Sequence, residues 1–354
     1  MTDVVVVGVG MISAVGLGAL ETAASVRAGA MRLSETAFRD KDFRPFVLAE
    51  VPEDGLPPLD ARLAGLTELS ARERRLLRLA TRPLRECTAP LGAEPTSLAL
   101  CLALPEIETR RAFDRRAFLD RLSLQMHGLF DPKRSDASHS GRAGGVIAAG
   151  QAVAAIQQGG ADFVLAGGID SFRDLYVLGT LDLEGRVKSD ANSDGFIPGE
   201  GAAFLLLASA RVAAQRRMRP LASLSSVAIG LESGHLYSEQ AYRGEGLAGV
   251  VRQLLGQAQP DAPIADVFSS MNGESHWAKE WGVTQIRNRA LLDPELRMHH
   301  PADCLGDVGA AAGPLMVGLA SLGISGRYRR SPSLVYGSSD RGARAALLVT
   351  ASSH

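Results

Sequence analysis

The chain has 354 residues, 46% of them hydrophobic and 22% charged, and its formal net charge is −1. This composition is ordinary for a globular chain with a large core, and a charge so close to zero gives no reason to expect nucleic acid or an anionic membrane as a partner. The cysteines Cys87, Cys101 and Cys304 are too few and too widely spaced for a disulfide framework or a cysteine-based zinc site.

The sequence carries no recognisable targeting or membrane signal. Its first residues, MTD followed by a run of valines, lack the basic region of a secretory signal. The longest apolar stretch, residues 309–323, is shorter than the ~20 residues that a membrane-spanning helix needs. We therefore expect a cytoplasmic protein without membrane contact, and no pattern calls for a cofactor or a metal.

Short apolar runs alternate along the chain with longer segments that have apolar residues at helical spacing. The runs are often β-branched and look buried on both faces, which is typical of central strands covered by helices. The alternation predicts an α/β fold. In chain order we predict a strand at residues 4–7, helices at 17–28 and 72–91, a strand at 98–104, a helix at 143–158, strands at 163–166 and 202–207, a helix at 247–257, a strand at 264–268, a helix at 309–322 and a strand at 345–349.

Two of these helices look buried on several faces. The helix at residues 143–158 contains Gly144, Gly145 and Gly150, although an interior glycine costs a helix about 1 kcal/mol relative to alanine. The helix at 309–322 has the same small, apolar character. Two central helices predict a duplicated architecture, with one half at residues 1–214 and the other at 215–354. We interpret residues 40–59 as a surface insertion and residues 106–140 as a cap insertion.

Several local patterns have a structural interpretation that we prefer to a functional one. The segment GVGMIS at residues 8–13 lacks the third glycine of a dinucleotide-binding turn, and we expect a tight strand-to-loop turn. The basic runs at 72–75 and 327–330 are expected to be a solvated helix face and a turn. The pair His299 and His300 has no carboxylate or cysteine at ligand spacing, so we expect a solvated loop.

Four segments, taken in order, carry a family resemblance. They are VVVVGVGMISAVG at residues 4–16, GADFVLAGG at 160–168, DANSDGFIPGEGA at 190–202 and GDVGAAAG at 306–313. In this order they resemble the opening strand and loop, the strand after the nucleophile helix, the glycine- and acid-containing turn and the second-histidine loop of the β-ketoacyl synthases. The resemblance implies the thiolase-like fold, with two packed α/β halves in helix–sheet–helix–sheet–helix layers.

The same resemblance locates the family's catalytic positions. The family uses a cysteine at a helix N-terminus, where the helix dipole stabilises the thiolate, and two histidines that stabilise oxyanions. By the family's spacing the cysteine position falls on Arg142, and the histidine positions fall on Asn272 and Asp307. The family's lysine position falls on Ala302, and its glycine-rich oxyanion loop falls on residues 337–342. None of the three catalytic side chains has a chemical equivalent, so catalysis by the family route is not expected.

A substitute nucleophile remains an alternative. Ser140 lies two residues before Arg142, His139 adjoins it, and His276 follows Asn272 closely. A serine–histidine pair would suit acyl transfer or hydrolysis, although no nucleophile-elbow motif is present. The rival hypothesis is therefore an acyltransferase of the 3-oxoacyl-(acyl-carrier-protein) synthase class that uses Ser140.

The replaced side chains suggest a salt bridge. An arginine at the start of a buried helix meets an unfavourable dipole and needs a carboxylate partner. We predict that Arg142 pairs with Asp307, with Asn272 as a hydrogen-bonding neighbour and Glu274 as the competing acid. The alternative is that Arg142 points into solvent.

The resemblance also suggests a role without catalysis. Chain length factors are ketosynthase-like subunits that lack the cysteine and pair with active partners, and short degenerate ketosynthase-like proteins are encoded beside type VI secretion effectors. We predict an adaptor, chaperone-like or regulatory subunit that binds another protein or a second copy of itself, with acyl carrier protein as a further candidate partner. Residues 132–139, which precede the nucleophile helix, are too polar for a good central strand, so the family's dimer interface is expected to be altered.

Overall fold

The structure is a computed structural model that describes residues 2–92, 98–106 and 114–352. Residues 107–113 of the expected cap lie outside this part of the chain. Every predicted strand and helix is present, and the largest differences are that the strands predicted at 4–7, 163–166 and 202–207 are longer than predicted. The strands are β1 (Val4–Ser13), β2 (Ser34–Arg39), β3 (Pro45–Leu48), β4 (Ala99–Ala103), β5 (Asp136–Ser138), β6 (Phe163–Ser171), β7 (Glu200–Ser209), β8 (Ala222–Leu224), β9 (Ala228–Leu231), β10 (Ile264–Ser269), β11 (Leu292–His299), β12 (Ser333–Ser338) and β13 (Ala343–Thr350).

The helices fall between these strands as an α/β fold requires. They are α1 (Ala19–Arg27), α2 (Ala61–Ala64), α3 (Ala71–Thr88), α4 (Arg115–Gln125), α5 (Gly141–Gln157), α6 (Leu175–Leu183), α7 (Ala210–Gln215), α8 (Glu245–Ala258), α9 (Ser275–Asn288), α10 (Ala302–Leu305) and α11 (Ala312–Ser325). The sequence did not predict the short or amphipathic ones, such as α4, α6 and α9. No helix in the described ranges is both long and apolar enough to cross a bilayer.

The strands form two wings that a short strand joins. The N-terminal wing has the order β1-β7-β6-β4-β5, and the C-terminal wing has the order β11-β10-β12-β13. Strand β8 pairs with β1 on one side and with β13 on the other, so hydrogen bonding continues from wing to wing. Within each wing the strands nearest the free edge are parallel: β4 with β5 and β6, and β10 with β11 and β12.

Helices α5 and α11 lie between the two wings. Helix α5 packs on β4 and β6 of the N-terminal wing and on β12 and β13 of the C-terminal wing, and α11 likewise contacts β7 and β12. Helix α3 covers the outer face of β1 and β7, and α8 covers β9 and β13. The layers are therefore helix, sheet, helix, sheet, helix, as the resemblance implied. The division into halves at residue 214 falls inside α7, the helix that precedes β8, and stays a prediction.

The glycines in the central helices let those helices touch. A Cβ added to Gly145 of α5 would lie 2.3 Å from Cδ of Pro314 in α11, and one added to Gly313 would lie 2.4 Å from the Val146 backbone nitrogen. Real Cβ atoms do not approach other atoms so closely, because packed interiors are near van der Waals contact. The helix-propensity cost of these glycines is offset by close packing of the layer that positions the site.

One local expectation was wrong, and the surface insertion expected at residues 40–59 contains regular structure. The β2–β3 hairpin extends into this segment, with Phe46 and Leu48 buried in it. Arg72 and Arg75 were expected on a solvated face, yet both are buried in the structure. They form ion pairs with Asp170 and Glu200 of the N-terminal wing, because the helix face that carries them packs on the sheet.

Candidate functional site

The site lies where the N-terminus of α5 meets the end of β12. Arg142 is in the first turn of α5, after Ser140, whose side chain makes no capping hydrogen bond. A Cβ on Gly337 would lie 2.6 Å from the Arg142 carbonyl oxygen. Only glycine allows this approach of helix and strand, which buries the arginine to 4% exposure.

Two carboxylates hold the Arg142 side chain. Its Nε donates to Oδ2 of Asp307 at 2.8 Å, and its Nη1 donates to Oδ1 of Asp340 at 2.6 Å. Asn272 donates from Nδ2 to Oδ2 of Asp307 at 2.8 Å. The predicted ion pair and its asparagine neighbour are therefore present, and the alternative of a solvent-exposed Arg142 is wrong.

Glu274 is not the competing acid that the sequence suggested. Its two carboxylate oxygens accept from Nε and Nη2 of Arg186, at 2.8 and 2.9 Å. Glu274 also accepts from Nε1 of Trp277 at 2.9 Å and from Nδ2 of Asn272 at 3.0 Å. The expectation about Glu274 is therefore corrected. Both of its carboxylate oxygens already accept from Arg186, and the second acid that pairs with Arg142 is Asp340.

Asp340 joins the two arginines. Its Oδ2 accepts from Nη1 of Arg186 at 2.7 Å, while its Oδ1 contacts Arg142. The five side chains form one unit, which we call the buried charge cluster: Arg142, Arg186, Glu274, Asp307 and Asp340. All five are less than 10% exposed, so their pairing is energetically essential.

The arginines fix the ionisation of the cluster. Burial alone would raise the pKa of Asp340, but Arg142 and Arg186 outweigh it and hold that pKa well below its usual range. Burial would lower the pKa of Arg142, but Asp307 and Asp340 outweigh burial and raise it further. Both groups are therefore charged at neutral pH, and the guanidinium of Arg142 cannot supply a lone pair for nucleophilic attack.

A further acid lies at the edge of the cluster. Glu106 accepts from the backbone nitrogens of Asp340 and Arg341, both at 3.2 Å. Burial, with the nearby Asp340 carboxylate, raises the pKa of Glu106. This side chain fixes the loop that presents Asp340 to the arginines.

The two halves of the sequence supply opposite charges to the cluster. Arg142 and Arg186 come from residues 1–214, whereas Glu274, Asp307 and Asp340 come from residues 215–354. The cluster therefore occupies the family's catalytic position and also forms an electrostatic contact between the predicted halves.

The candidate serine nucleophile is not activated by a histidine in the described part of the chain. His139 Nδ1 lies 2.7 Å from the Pro105 carbonyl oxygen. The His276 ring packs between Tyr242 and Trp277, each at 4.8 Å between centroids. Burial lowers the pKa of His276, and no hydrogen bond joins either ring to the Ser140 hydroxyl among the described residues. These contacts do not form the base–nucleophile pair that acyl transfer needs.

Little space remains beside Asp307. A cavity of about 20 Å³ is lined by Ser270, Ala302, Asp307 and Met316, among other residues. A volume of this size holds about one water molecule. An acyl chain does not fit there without movement of the surrounding side chains.

Sequence reasoning missed Arg186, Asp340 and Trp277 as members of the site. Arg186 precedes a polar turn and looks like a surface residue, and Asp340 was noted only within the loop at residues 337–342. One signal was available: the sequence analysis placed two acids, Glu274 and Asp307, beside a single arginine, which leaves an excess of buried acid. A second buried cation was therefore required.

The chain is similar to known ketosynthases in fold and, locally, in sequence. The family model described as the β-ketoacyl synthase N-terminal domain matches residues 136–213. No curated protein matches the chain. The ishigamide ketosynthase/chain length factor superposes with a TM-score of 0.81 at 18% identity, covering 99% of this chain and 100% of that one.

Two other solved structures give the same result. The complex of a type II polyketide-synthase acyl-carrier protein with its ketosynthase matches with a TM-score of 0.79 at 16% identity, over 99% of this chain and 100% of that one. The ketosynthase from module 6 of the Bacillus subtilis 168 bacillaene synthase matches with a TM-score of 0.81 at 13% identity, over 99% of this chain and 72% of that one. The chain thus has the thiolase-like fold of the ketosynthases and resembles the β-ketoacyl synthases of that superfamily.

Proposed function

We propose that this chain is a non-catalytic ketosynthase-like protein that serves as an adaptor or regulatory subunit. One observation carries the proposal: the buried charge cluster and its hydrogen-bonded neighbour Asn272 occupy the positions where the resemblance places the nucleophile and the oxyanion-stabilising histidines. Arg142 has no nucleophilic atom while protonated, and Asp307 would repel a developing enolate. The cluster stabilises the fold and leaves no reactive group in its place.

The proposed partner is an active ketosynthase. A solved relative in fold is named a ketosynthase/chain length factor, and another is a ketosynthase in complex with an acyl-carrier protein. By analogy of fold, this chain would pair with a catalytic subunit or contact its carrier protein. The accessory role in type VI secretion, suggested by the sequence alone, stays a prediction.

The proposal is tested by a decarboxylation assay on the purified full chain. Malonyl-loaded carrier protein is the substrate, and an active ketosynthase is the positive control. We expect no decarboxylation and no acyl adduct on Cys87, Cys101 or Cys304, because burial raises the pKa of all three thiols. Co-elution with an active ketosynthase in size-exclusion chromatography is the expected positive result.

The alternative acyltransferase makes the opposite prediction. Intact-mass analysis would then show a covalent acyl group that disappears in Ser140→Ala. Such an adduct would overturn the adaptor proposal. A matched Ser193→Ala variant, at an exposed position, controls for loss of the adduct that is not specific to Ser140.

A further inference from the structure

A cleft separate from the buried charge cluster lies at the C-terminal end of α1. It has a volume of about 310 Å³ and is bounded by α1, the end of β11 and the segment after α11. Its inner wall is apolar and includes Val26, Phe268 and Leu319. No member of the buried charge cluster lines it. Clefts of roughly 300–1,000 Å³ with an apolar wall and a few polar groups are typical of small-molecule sites.

The mouth of this cleft is positively charged. The guanidinium carbon of Arg27 lies 4.8 Å from the ring centroid of Tyr328, and that of Arg329 lies 5.8 Å from the same centroid. Neither arginine forms an ion pair with a carboxylate of the described residues, and Asp303 is the one acid among the lining residues. Two cations therefore face one anion, and the aromatic ring holds both guanidinium groups at the same opening.

A buried histidine nitrogen in the lining also has no partner. Nδ1 of His300 is inaccessible to solvent and makes no hydrogen bond within the described structure. The neighbouring His299 is not a solvated loop residue as expected, because it is the last residue of β11 and its Nε2 lies 2.7 Å from Oδ1 of Asp266 in β10. A buried polar atom without a partner is destabilising, because it has lost its hydrogen bonds to water and gained none. A polar ligand atom that bonds to His300 would therefore be stabilising.

We propose that this cleft binds a small organic anion that has an aromatic or alkyl part and one carboxylate, sulfonate or phosphate group. The apolar part would pack on Phe268 and Leu319. The anionic group would lie between Arg27 and Arg329, whose planar guanidinium groups suit bidentate recognition of oxyanions. This binding site is independent of the adaptor role, because it shares no residue with the buried charge cluster.

Calorimetric titration of the full chain with 1-naphthalenesulfonate tests the proposal, and 1-naphthalenemethanol is the uncharged control. We expect saturable binding of the sulfonate that weakens with added salt, and much weaker binding of the alcohol. Arg27→Gln/Arg329→Gln should reduce affinity for the sulfonate at least tenfold. The matched double variant Arg252→Gln/Arg289→Gln, at exposed arginines outside the cleft, should bind like the unmodified chain.

Cys304 reports whether binding occurs in this cleft. It lines the cleft, whereas Cys87 and Cys101 do not. Naphthalenesulfonate should slow the alkylation of Cys304 by N-ethylmaleimide and leave the alkylation rate of Cys101 unchanged. Peptide mass spectrometry measures both rates. The proposal is overturned if no sulfonate binds at millimolar concentration, if the alcohol binds equally well, if the two double variants bind alike, or if bound sulfonate leaves Cys304 alkylation unchanged.

Discussion

At the scale of single residues, the salt bridge of Arg142 makes a stability prediction. Removing one partner of a buried ion pair leaves the other charge without compensation, which costs about 3–5 kcal/mol. Since Asp340 still contacts Arg142, we expect Asp307→Ala to lower the free energy of unfolding by about 3 kcal/mol, at the lower end of that range. Urea denaturation measures this, with Asp261→Ala at an exposed position as the control. Equal midpoints for the two variants would contradict the prediction.

Asp340 makes a prediction about pH. Its folded-state pKa is held below the unfolded value of about 3.9 by Arg142 and Arg186, despite burial. Its contribution to stability is therefore fully present above about pH 5 and is lost as pH falls through the folded pKa. We expect Asp340→Asn to be less stable than the unmodified chain at neutral pH, and the gap in unfolding free energy to narrow below about pH 4. Urea denaturation at a series of pH values measures this difference in unfolding free energy. A difference that stays constant as the pH falls from neutral to below about pH 4 would contradict the assigned role of Asp340.

The pairing of Arg142 with Asp307 was predictable because both residues fall on spaced family motifs, and a buried arginine demands an acid. Arg186 was not predictable in this way. A single sequence does not show that a charged side chain just before a polar turn is buried against two aromatic rings. The guanidinium group of Arg186 packs in this way over the rings of Phe196 and Tyr237.

At the scale of elements, the contact between α5 and α11 distinguishes two kinds of helical glycine. An alanine at Gly145 would place its Cβ against Pro314 and the Ala310 carbonyl, at 2.3 and 2.8 Å, whereas an alanine at Gly249 of α8 has nothing within 4 Å. We expect Gly145→Ala to lower the free energy of unfolding by about 1–3 kcal/mol, and Gly249→Ala to raise it by up to about 1 kcal/mol. Thermal and urea unfolding of the pair test this, and stabilisation by Gly145→Ala would show that the two helices are not packed so closely.

Apolar periodicity predicted the buried strands and central helices because those elements are uniformly hydrophobic. It also predicted α3 but not its buried face, which includes Arg72 and Arg75 as well as leucines. The arginines reach acids on β6 and β7 that are distant in sequence. Only tertiary contacts, which local patterns do not encode, show that this charged face is internal.

At the scale of the whole molecule, the resemblance predicts a dimer. The strand before α5, through which family members pair, is here β5, a three-residue strand that is hydrogen-bonded to β4 at the end of the sheet. We expect a homodimer, or a heterodimer with an active ketosynthase, by light scattering at micromolar concentration. Measurement of the chain alone and of the mixture distinguishes the two. A monomer in both samples would remove the prediction.

The division of charge between the halves has a consequence for synthesis on the ribosome. Arg142 is made 165 residues before Asp307 and 198 residues before Asp340. At a synthesis rate of roughly 5–20 residues per second, the second of these carboxylates is made roughly ten to forty seconds after Arg142. Until Asp307 is made, Arg142 has neither of these carboxylate partners, so the nascent N-terminal wing should remain protease-sensitive at the start of α5. Stalled chains that expose both Asp307 and Asp340 outside the ribosome should become protected, whereas chains that stall before Asp307 should not. Equal protection of the two would show that the wing closes without its acids.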